Sequence, residues 1–297
     1  NKSRRRLELD QFDVCYCCGS HSSWTRSLRI LVGGELTVPE SMDDSKMTAT
    51  PLTRVLGILG IVAGVLMAVL GLFISPPDVV QGEAVRMLYL HVPSIWIAYG
   101  SFVLTSVSSL LFLVRSRRRE DGGRHYDRIA GSAAEVGVVF TGLTLITGML
   151  WGKVTWGTYW QWDARLTTTV LLFVTYLGYL ALRRLPADPI VRGRRAAVMA
   201  LISFINVPIV HYSVDWWRTL HQKASLSVGR RPEITGEMYW TLLYSALTVT
   251  IVGAWLIVHR YRVIRLEEIR DEENLKMLIS SRRHERPTGS AADGEVS

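Results

Sequence analysis

Six runs of apolar residues, each close to the twenty or so that a membrane-spanning helix needs, set the pattern of this chain. They fall at Val55 to Ile74, Leu88 to Val114, Ile129 to Leu150, Leu166 to Leu182, Ala196 to Val210 and Met238 to Val258. The fourth and fifth are short and are expected to borrow a turn from their flanks. No internal repeat is visible, which argues against an inverted-repeat transporter. The pattern predicts an all-α integral membrane protein with six transmembrane helices. Its organisation is a polar extension over 1–50, disordered or upstream of the true start, a six-span domain over 51–260 and a charged tail over 261–297.

Charge between the spans gives the orientation. The connector at 115–128 carries six arginines and that at 183–195 carries five, whereas 75–86 holds only Arg86 and 151–165 only Lys153 and Arg165. Short loops rich in Arg and Lys stay in the cytoplasm. The connector at 211–236, with Arg218, Lys223, Arg230 and Arg231, is less clean, but the basic tail over 260–286 outvotes it. Both termini are therefore expected in the cytoplasm, with the 151–165 connector outside. The tail alternates opposite charges at helical spacing and is expected to prolong the last span as an exposed helix.

Composition agrees with a polytopic protein: 48% of the 297 residues are hydrophobic and 20% charged. The net charge of +8 would suggest nucleic acid for a soluble protein, but its arginines sit where topology requires them, so no nucleic-acid partner is expected. All the cysteines, Cys15, Cys17 and Cys18, lie in the extension with His21 close behind, and they lack a second ligand pair at zinc-site spacing.

The chemistry gathers on the outer side. WGKVTWGTYWQWD, residues 151–163, holds Trp151, Trp156, Trp160 and Trp162 with Gly152 and Gly157 between them and Asp163 at its end. An aromatic belt at the membrane interface would collect Trp and Tyr anyway. A belt does not require four indoles in one connector interleaved with glycines, which suits a platform for a planar ligand. His91, in LYLHVPSIW, and His211, in NVPIVHYSVDWW, stand at matching depth at the outer ends of the second and fifth spans, each near a proline, Pro93 or Pro208. Either imidazole alone reads as an interfacial residue. Two at matched depth beside the indoles fit axial ligation of a haem iron. His221 reads as a loop residue or one that supports a ligand. Trp216 and Trp217 could cover the ligand's other face.

Haem propionates call for cations at the rim. Arg165 is the first choice among Arg165, Lys153, Arg218 and Arg86, although it could equally anchor the interface. Asp163 is expected to orient an indole N–H or Arg165. Glu135, among Gly131, Ser132, Ala133 and Ala134 in the third span, reads as a helix-interface hydrogen-bonding group near the inner boundary.

WGKVTWGTYWQWDARLT closely resembles the tryptophan-rich signature of the haem handling proteins. LYLHVP and NVPIVHYSVDWWRTLHQ are similar to its cytochrome c maturation protein C branch, and the resemblance covers about residues 50–260. It implies haem b held non-covalently, in transit, at the outer face of the cytoplasmic (inner) membrane, with His91 and His211 as axial ligands and Trp151, Trp156, Trp160, Trp162 and Asp163 in the signature. It also implies delivery to a membrane-anchored haem chaperone (CcmE), in company with the ABC transporter subunits CcmA and CcmB and the small single-span subunit CcmD. That role is transfer rather than catalysis. The chain departs from the family pattern at Val154, where proline is common, which is expected to loosen the loop's turn, and at Lys223, where glycine often stands.

Two rival readings remain. An electron-transfer subunit would also want two histidines, but such subunits place them deep within spans, and none of these spans has one at mid-depth. A cytochrome c synthase shares the tryptophan signature but adds further spans or large outer domains, and a permease subunit of an ABC exporter is a weaker third possibility. The extension begins with Asn and shows no signal-peptide pattern, and the true start is expected at Met42 or Met47. Mass spectrometry of the native N-terminus should then find no peptide spanning residues 15–30; finding one would refute that expectation.

Overall fold

The computed structural model describes residues 50–116, 123–222, 234 and 236–284, all within the unit formed by residues 44–297. The sequence expectations for Cys15, Cys17, Cys18, His21, the start site, Lys223, Arg230 and Arg231 lie outside the described residues. Among the described residues, seven α-helices account for the architecture: α1 (Pro51–Val69), prolonged by one wide turn over Leu70–Ile74, α2 (Leu88–Arg115), entered through a short 3-10 helix over Glu83–Met87, α3 (Arg124–Trp156), α4 (Ala164–Arg184), α5 (Pro189–Phe204), α6 (Asn206–Trp216) and α7 (Gly236–His284). Among the described residues there is no β-strand, only an isolated bridge between Asp78 and Gly82. Six helical segments of the described residues are long and apolar enough to cross a membrane, with α5 and α6 together making the fifth. The protein is thus an all-α, six-span membrane protein, as its hydrophobic pattern predicts.

The fifth span breaks at Ile205 for a local reason. Pro208 has no N–H to give to the carbonyl of Phe204, and its ring would crowd that carbonyl. Asn206 instead sends its side-chain amide to the Thr168 carbonyl of α4, 2.8 Å away. The short fourth and fifth runs do gain their missing turns, reaching Ala164–Arg184 and Pro189–Trp216.

The core is built on an antiparallel pair, α2 and α3, with α7 and α1 packed on one side and α4, α5 and α6 on the other. Small residues let the pair close. Ser94, Ala98, Ser101 and Thr105 of α2 and Ala133, Ala134 and Thr141 of α3 are buried, the composition expected where packing rather than hydrophobicity drives helix association in lipid. Gly137 is required there, since a Cβ would stand 2.5 Å from the Phe102 ring. Phe102 in turn stacks on Tyr176 of α4 at 3.8 Å between ring centres. The lipid side of α1 exposes Ile58, Ile61, Val62 and Val65.

At the end of the bundle that carries the arginine-rich connectors, ion pairs fasten the helices. Arg183 of α4 grips Asp127 of α3 through two hydrogen bonds, 2.6 and 2.9 Å, with both side chains nearly buried. Glu135 pairs with Arg260 of α7, and Arg128–Glu268 (2.8 Å) and Arg124–Glu272 (2.5 Å) continue that ladder outward. Glu135 therefore does hydrogen-bond across a helix interface, and α7 does prolong the last span into the charged tail. The exposed rungs contribute little each. The buried Arg183–Asp127 pair is different, because removing one partner strands a charge, at about 3–5 kcal/mol, whereas replacing both is far milder. In detergent, Asp127→Ala should therefore lower the thermal midpoint more than Asp127→Ala/Arg183→Met does, by scanning fluorimetry; the reverse order would contradict a stranded charge.

Candidate functional site

The other end of the bundle holds a cleft between α2, α3 and the start of α4, roofed by the connector before α2 and the segment after α6. Its walls include Gln81, His91, Tyr99, Gly148, Trp151, Trp156, Trp160, Arg165 and His221. It leaves about 100 Å³ for water-sized bodies, and about 800 Å³ between atoms when its open mouth is counted. The first figure is the enclosed volume, and it is below the roughly 300–1,000 Å³ usual for small-molecule sites, so a ligand of that size would need the mouth to open further. Most of the wall is apolar and aromatic.

His91 sits in the first turns of α2, is 8% exposed, and has buried Pro93 two residues on. Its Nδ1 lies 3.0 Å from Thr147 Oγ1, and that hydroxyl gives its own hydrogen to the Leu143 carbonyl at 2.8 Å. Thr147 therefore accepts, Nδ1 carries the proton, and Nε2 keeps a free lone pair. The ring fits because α3 has glycine opposite: a Cβ at 148 would stand 2.9 Å from His91 Cε1. Trp151 packs edge-on against the same ring, centres 5.7 Å apart.

His221 also lines the cleft, on the segment after α6. Its Nδ1 is 2.9 Å from the Gln222 carbonyl, which can only accept, so Nδ1 again holds the proton and Nε2 is free. The two imidazole centres are 6.3 Å apart with their planes 30° from parallel, and Trp156 stands edge-on to His221 at 6.1 Å. Imidazole nitrogens lie roughly 2 Å from a bound metal, so two rings ligating one ion from opposite sides have centres roughly 6 Å apart. Burial, and after it the positive charge of Arg165, holds the His221 imidazole down at about 4, which keeps it neutral and able to ligate at physiological pH.

The sequence-predicted residues divide between the cleft and its surroundings. His91, Trp151, Trp156, Trp160 and Arg165 line it; Trp162, Asp163 and His211 do not. His211 is exposed on α6, its ring against Tyr212 (4.8 Å) and Tyr99 (6.2 Å), and the structure brings His221 rather than His211 to His91. Trp162 is 78% exposed, edge-on to Trp160 at 5.3 Å. Asp163 caps α4, its Oδ1 accepting the Leu166 N–H at 2.8 Å. Trp216 and Trp217 are exposed and away from the cleft wall.

The tryptophan stretch is also less of a loop than its glycines suggest. α3 continues through Trp151 and Trp156 and stops at Gly157, whose φ of 75° suits glycine. Trp, Lys, Val and Thr are all tolerated in a helix, and Gly152 interrupts nothing. Val154 accordingly lies inside α3, where no turn exists for a proline to tighten.

Of the candidate cations, Lys153 donates to the Gly157 carbonyl at 3.0 Å, and Arg86 is engaged by Glu83 and the carbonyls of Gly71 and Leu72. Arg165 faces the cleft and pairs with no carboxylate among the described residues. Two further donors there lack an acceptor, the buried Tyr99 hydroxyl and the Trp160 indole N–H. Leaving such groups unpaired costs about 1–3 kcal/mol each, so the cleft has room for acceptor oxygens, although the neighbouring Asp163 Oδ2 is itself a buried acceptor without a partner. Sequence reasoning missed Gln81, Tyr99, Thr147, Gly148 and Gln222. Only Gly148 had a signal, its place one turn before Gly152 on the same face of α3.

Among the described residues no three His, Cys, Asp or Glu side chains gather as a metal site. Two imidazoles make a strong site only for a metal that brings its other ligands with it. The family described as Heme exporter protein C (CcmC) matches residues 35–276. The chain is similar to Heme exporter protein C of Bradyrhizobium diazoefficiens, 39% identical over 227 residues, 74% of this chain and 82% of that one. It is also similar to Heme exporter protein C of Haemophilus influenzae, 37% identical over 201 residues, 67% of this chain and 78% of that one. A cytochrome c biosynthesis ccmC-like mitochondrial protein of Marchantia polymorpha is 40% identical over 158 residues, 53% of this chain and 64% of that one. Six spans, the indole-walled cleft and a match over most of its length place this chain in the Heme exporter protein C family.

Proposed function

We propose that this protein holds haem as cargo between His91 and His221, at the outer face of the cytoplasmic membrane, and surrenders it to a membrane-anchored haem chaperone for cytochrome c maturation. The observation that carries this reading is the pair of imidazoles with centres 6.3 Å apart, each with Nδ1 tied to an acceptor and Nε2 left free. The porphyrin would supply the four equatorial nitrogens that the described residues do not offer.

The walls suit the rest of that cargo. Gly148 and Gly152 keep one wall flat, for a Cβ at 152 would press on the Trp156 ring at 3.1 Å. Trp151, Trp156 and Trp160 provide apolar faces. Arg165, which pairs with no carboxylate among the described residues, and the unpartnered Tyr99 hydroxyl and Trp160 N–H are donors that would receive propionate oxygens. Asp163 supports them indirectly by fixing the first turn of α4, on which Arg165 stands.

The arginine clusters at the opposite end support a cytoplasmic placement of that end and an outer placement of the cleft. The cysteines at 15, 17 and 18 precede the six-span body, so the body has no thiol to form a thioether. The cargo would remain non-covalent haem b, to be passed on rather than kept. The names of the relatives, exporters of heme and a cytochrome c biosynthesis protein, favour company with ABC transporter subunits of the CcmA and CcmB type, the small subunit CcmD and the chaperone CcmE. An electron-transfer subunit would want its iron shielded in the span interior, whereas this cleft opens at the membrane surface.

The test is the absorption spectrum and pyridine haemochrome of the detergent-purified protein. A low-spin b-type spectrum is expected, weakened or turned high-spin by His91→Ala and by His221→Ala and unchanged by His211→Ala. Sensitivity to His211→Ala with indifference to His221→Ala would move the second ligand to α6 and overturn the pair.

A pH measurement follows from the depressed imidazole. Folding favours neutral His221, so its contribution to stability is complete above the ordinary value of 6.5 and is lost as pH falls through about 4. By NMR of the haem-free protein, His221 should titrate near 4. Removing the neighbouring charge with Arg165→Gln should move that midpoint up towards 6.5, and a midpoint that falls or stays would contradict the assigned cause.

A further inference from the structure

The two histidines are held very differently, and the difference lies in three side chains. His91 rides on a helix, with Thr147, Gly148 and Trp151 of α3 around its ring. His221 rides on the irregular segment 217–222. Among the described residues, one side-chain hydrogen bond joins that segment to another element. Gln81 Nε2 donates to Gln222 Oε1 at 3.0 Å.

Gln81 is itself fixed from two directions. The Trp151 indole N–H donates to Gln81 Oε1 at 3.0 Å. An indole N–H can only donate, so the orientation of the Gln81 amide is determined, and its N–H₂ must face Gln222. Behind it, Asp78 Oδ1 accepts the backbone N–H groups of Val80 and Gln81 (2.8 and 2.7 Å). Asp78 and Gly82 exchange backbone hydrogen bonds of 3.0 and 3.1 Å, with Gly82 at a φ of 55°. This tight turn presents Gln81 to the cleft. A continuous chain thus runs from α3 through Trp151, Gln81 and Gln222 to the backbone carbonyl that sets the His221 tautomer.

We infer that Gln81 is a positioning residue that latches the His221 segment over the cleft, and that cargo leaves by release of this latch, with His221 the departing ligand and His91 the retained one. The inference rests on the reading of His91 and His221 as the haem pair. The Gln81–Gln222 bond is exposed, so water competes for both amides and the latch is weak by construction. A carrier needs that: an anchored ligand to define the site and a labile one to let the cargo go.

The experiment uses the full chain, loaded with haem in detergent, as wild type, Gln81→Leu, Gln222→Leu, Gln81→Glu and His221→Ala. Readouts are the low-spin fraction by absorption and electron paramagnetic resonance, and the rate of haem loss to excess apomyoglobin. Gln81→Leu and Gln222→Leu should each turn part of the haem high-spin, recoverable with added imidazole, and speed its loss about tenfold, the scale of one or two lost hydrogen bonds. Gln81→Glu, which can accept from both the Trp151 indole and a turned Gln222 amide, should stay near wild type. If His221→Ala alters the spectrum while both leucine variants match wild type, the latch is refuted and the haem pair stands. If His221→Ala also matches wild type, the pair itself fails and the latch with it. Complete haem loss in both leucine variants, beyond rescue by imidazole, would equally refute a role confined to the His221 side.

Discussion

Close approach of α2 and α3 is the constraint on which the rest of this protein depends. The two helices meet through serine, alanine, threonine and glycine, and at two points only glycine allows the contact, Gly137 beneath Phe102 and Gly148 beneath His91. The first of these passes the packing on to α4 through the Phe102–Tyr176 stack. The second seats an imidazole between helices and lets Thr147 fix its tautomer. In lipid, where apolar side chains gain nothing by leaving the solvent, this economy of side-chain volume is what holds helices together. Here the same economy builds one wall of a binding cleft.

Beyond that wall, the two ends of the bundle are fastened differently. The bundle end with the arginine clusters is fastened by a buried bidentate ion pair and a ladder along α7. The cleft end is fastened by indole packing, a capped helix start at Asp163 and side-chain amides. Such a difference would suit the proposed carrier, whose scaffold has to stay fixed while the parts that touch cargo yield. The depressed imidazole of His221 fits the proposed role, since an axial ligand is useful only if it stays neutral.

Much of this was legible in the sequence. The six spans, the extension of the last one and the helix-interface role of Glu135 follow from hydrophobic length, charge periodicity and the cost of a carboxylate in lipid. His91 and the indoles were legible because residue type and glycine spacing already describe a flat apolar site. Two things were not. The extent of α3 through Trp156 is a matter of tertiary packing, because the same residues read equally well as a loop. The partner of His91 could not be ranked by depth alone: His211 and His221 both lie near the outer boundary. Helix α6 turns the first toward Tyr99 and Tyr212 while the chain beyond Trp217 carries the second back over the cleft. Gln81 carried no local signal at all, since its role exists only when three distant segments meet.

The most direct test of the account is a cryo-electron microscopy map of the haem-loaded protein at a resolution that separates the iron from the porphyrin. The account predicts iron within ligating distance of both Nε2 atoms, of His91 and His221, with the porphyrin against Trp151, Trp156 and Trp160 and carboxylate density beside Arg165. Iron bound to His211, or haem lying outside the cleft against the exposed indoles of Trp162, Trp216 and Trp217, would contradict it.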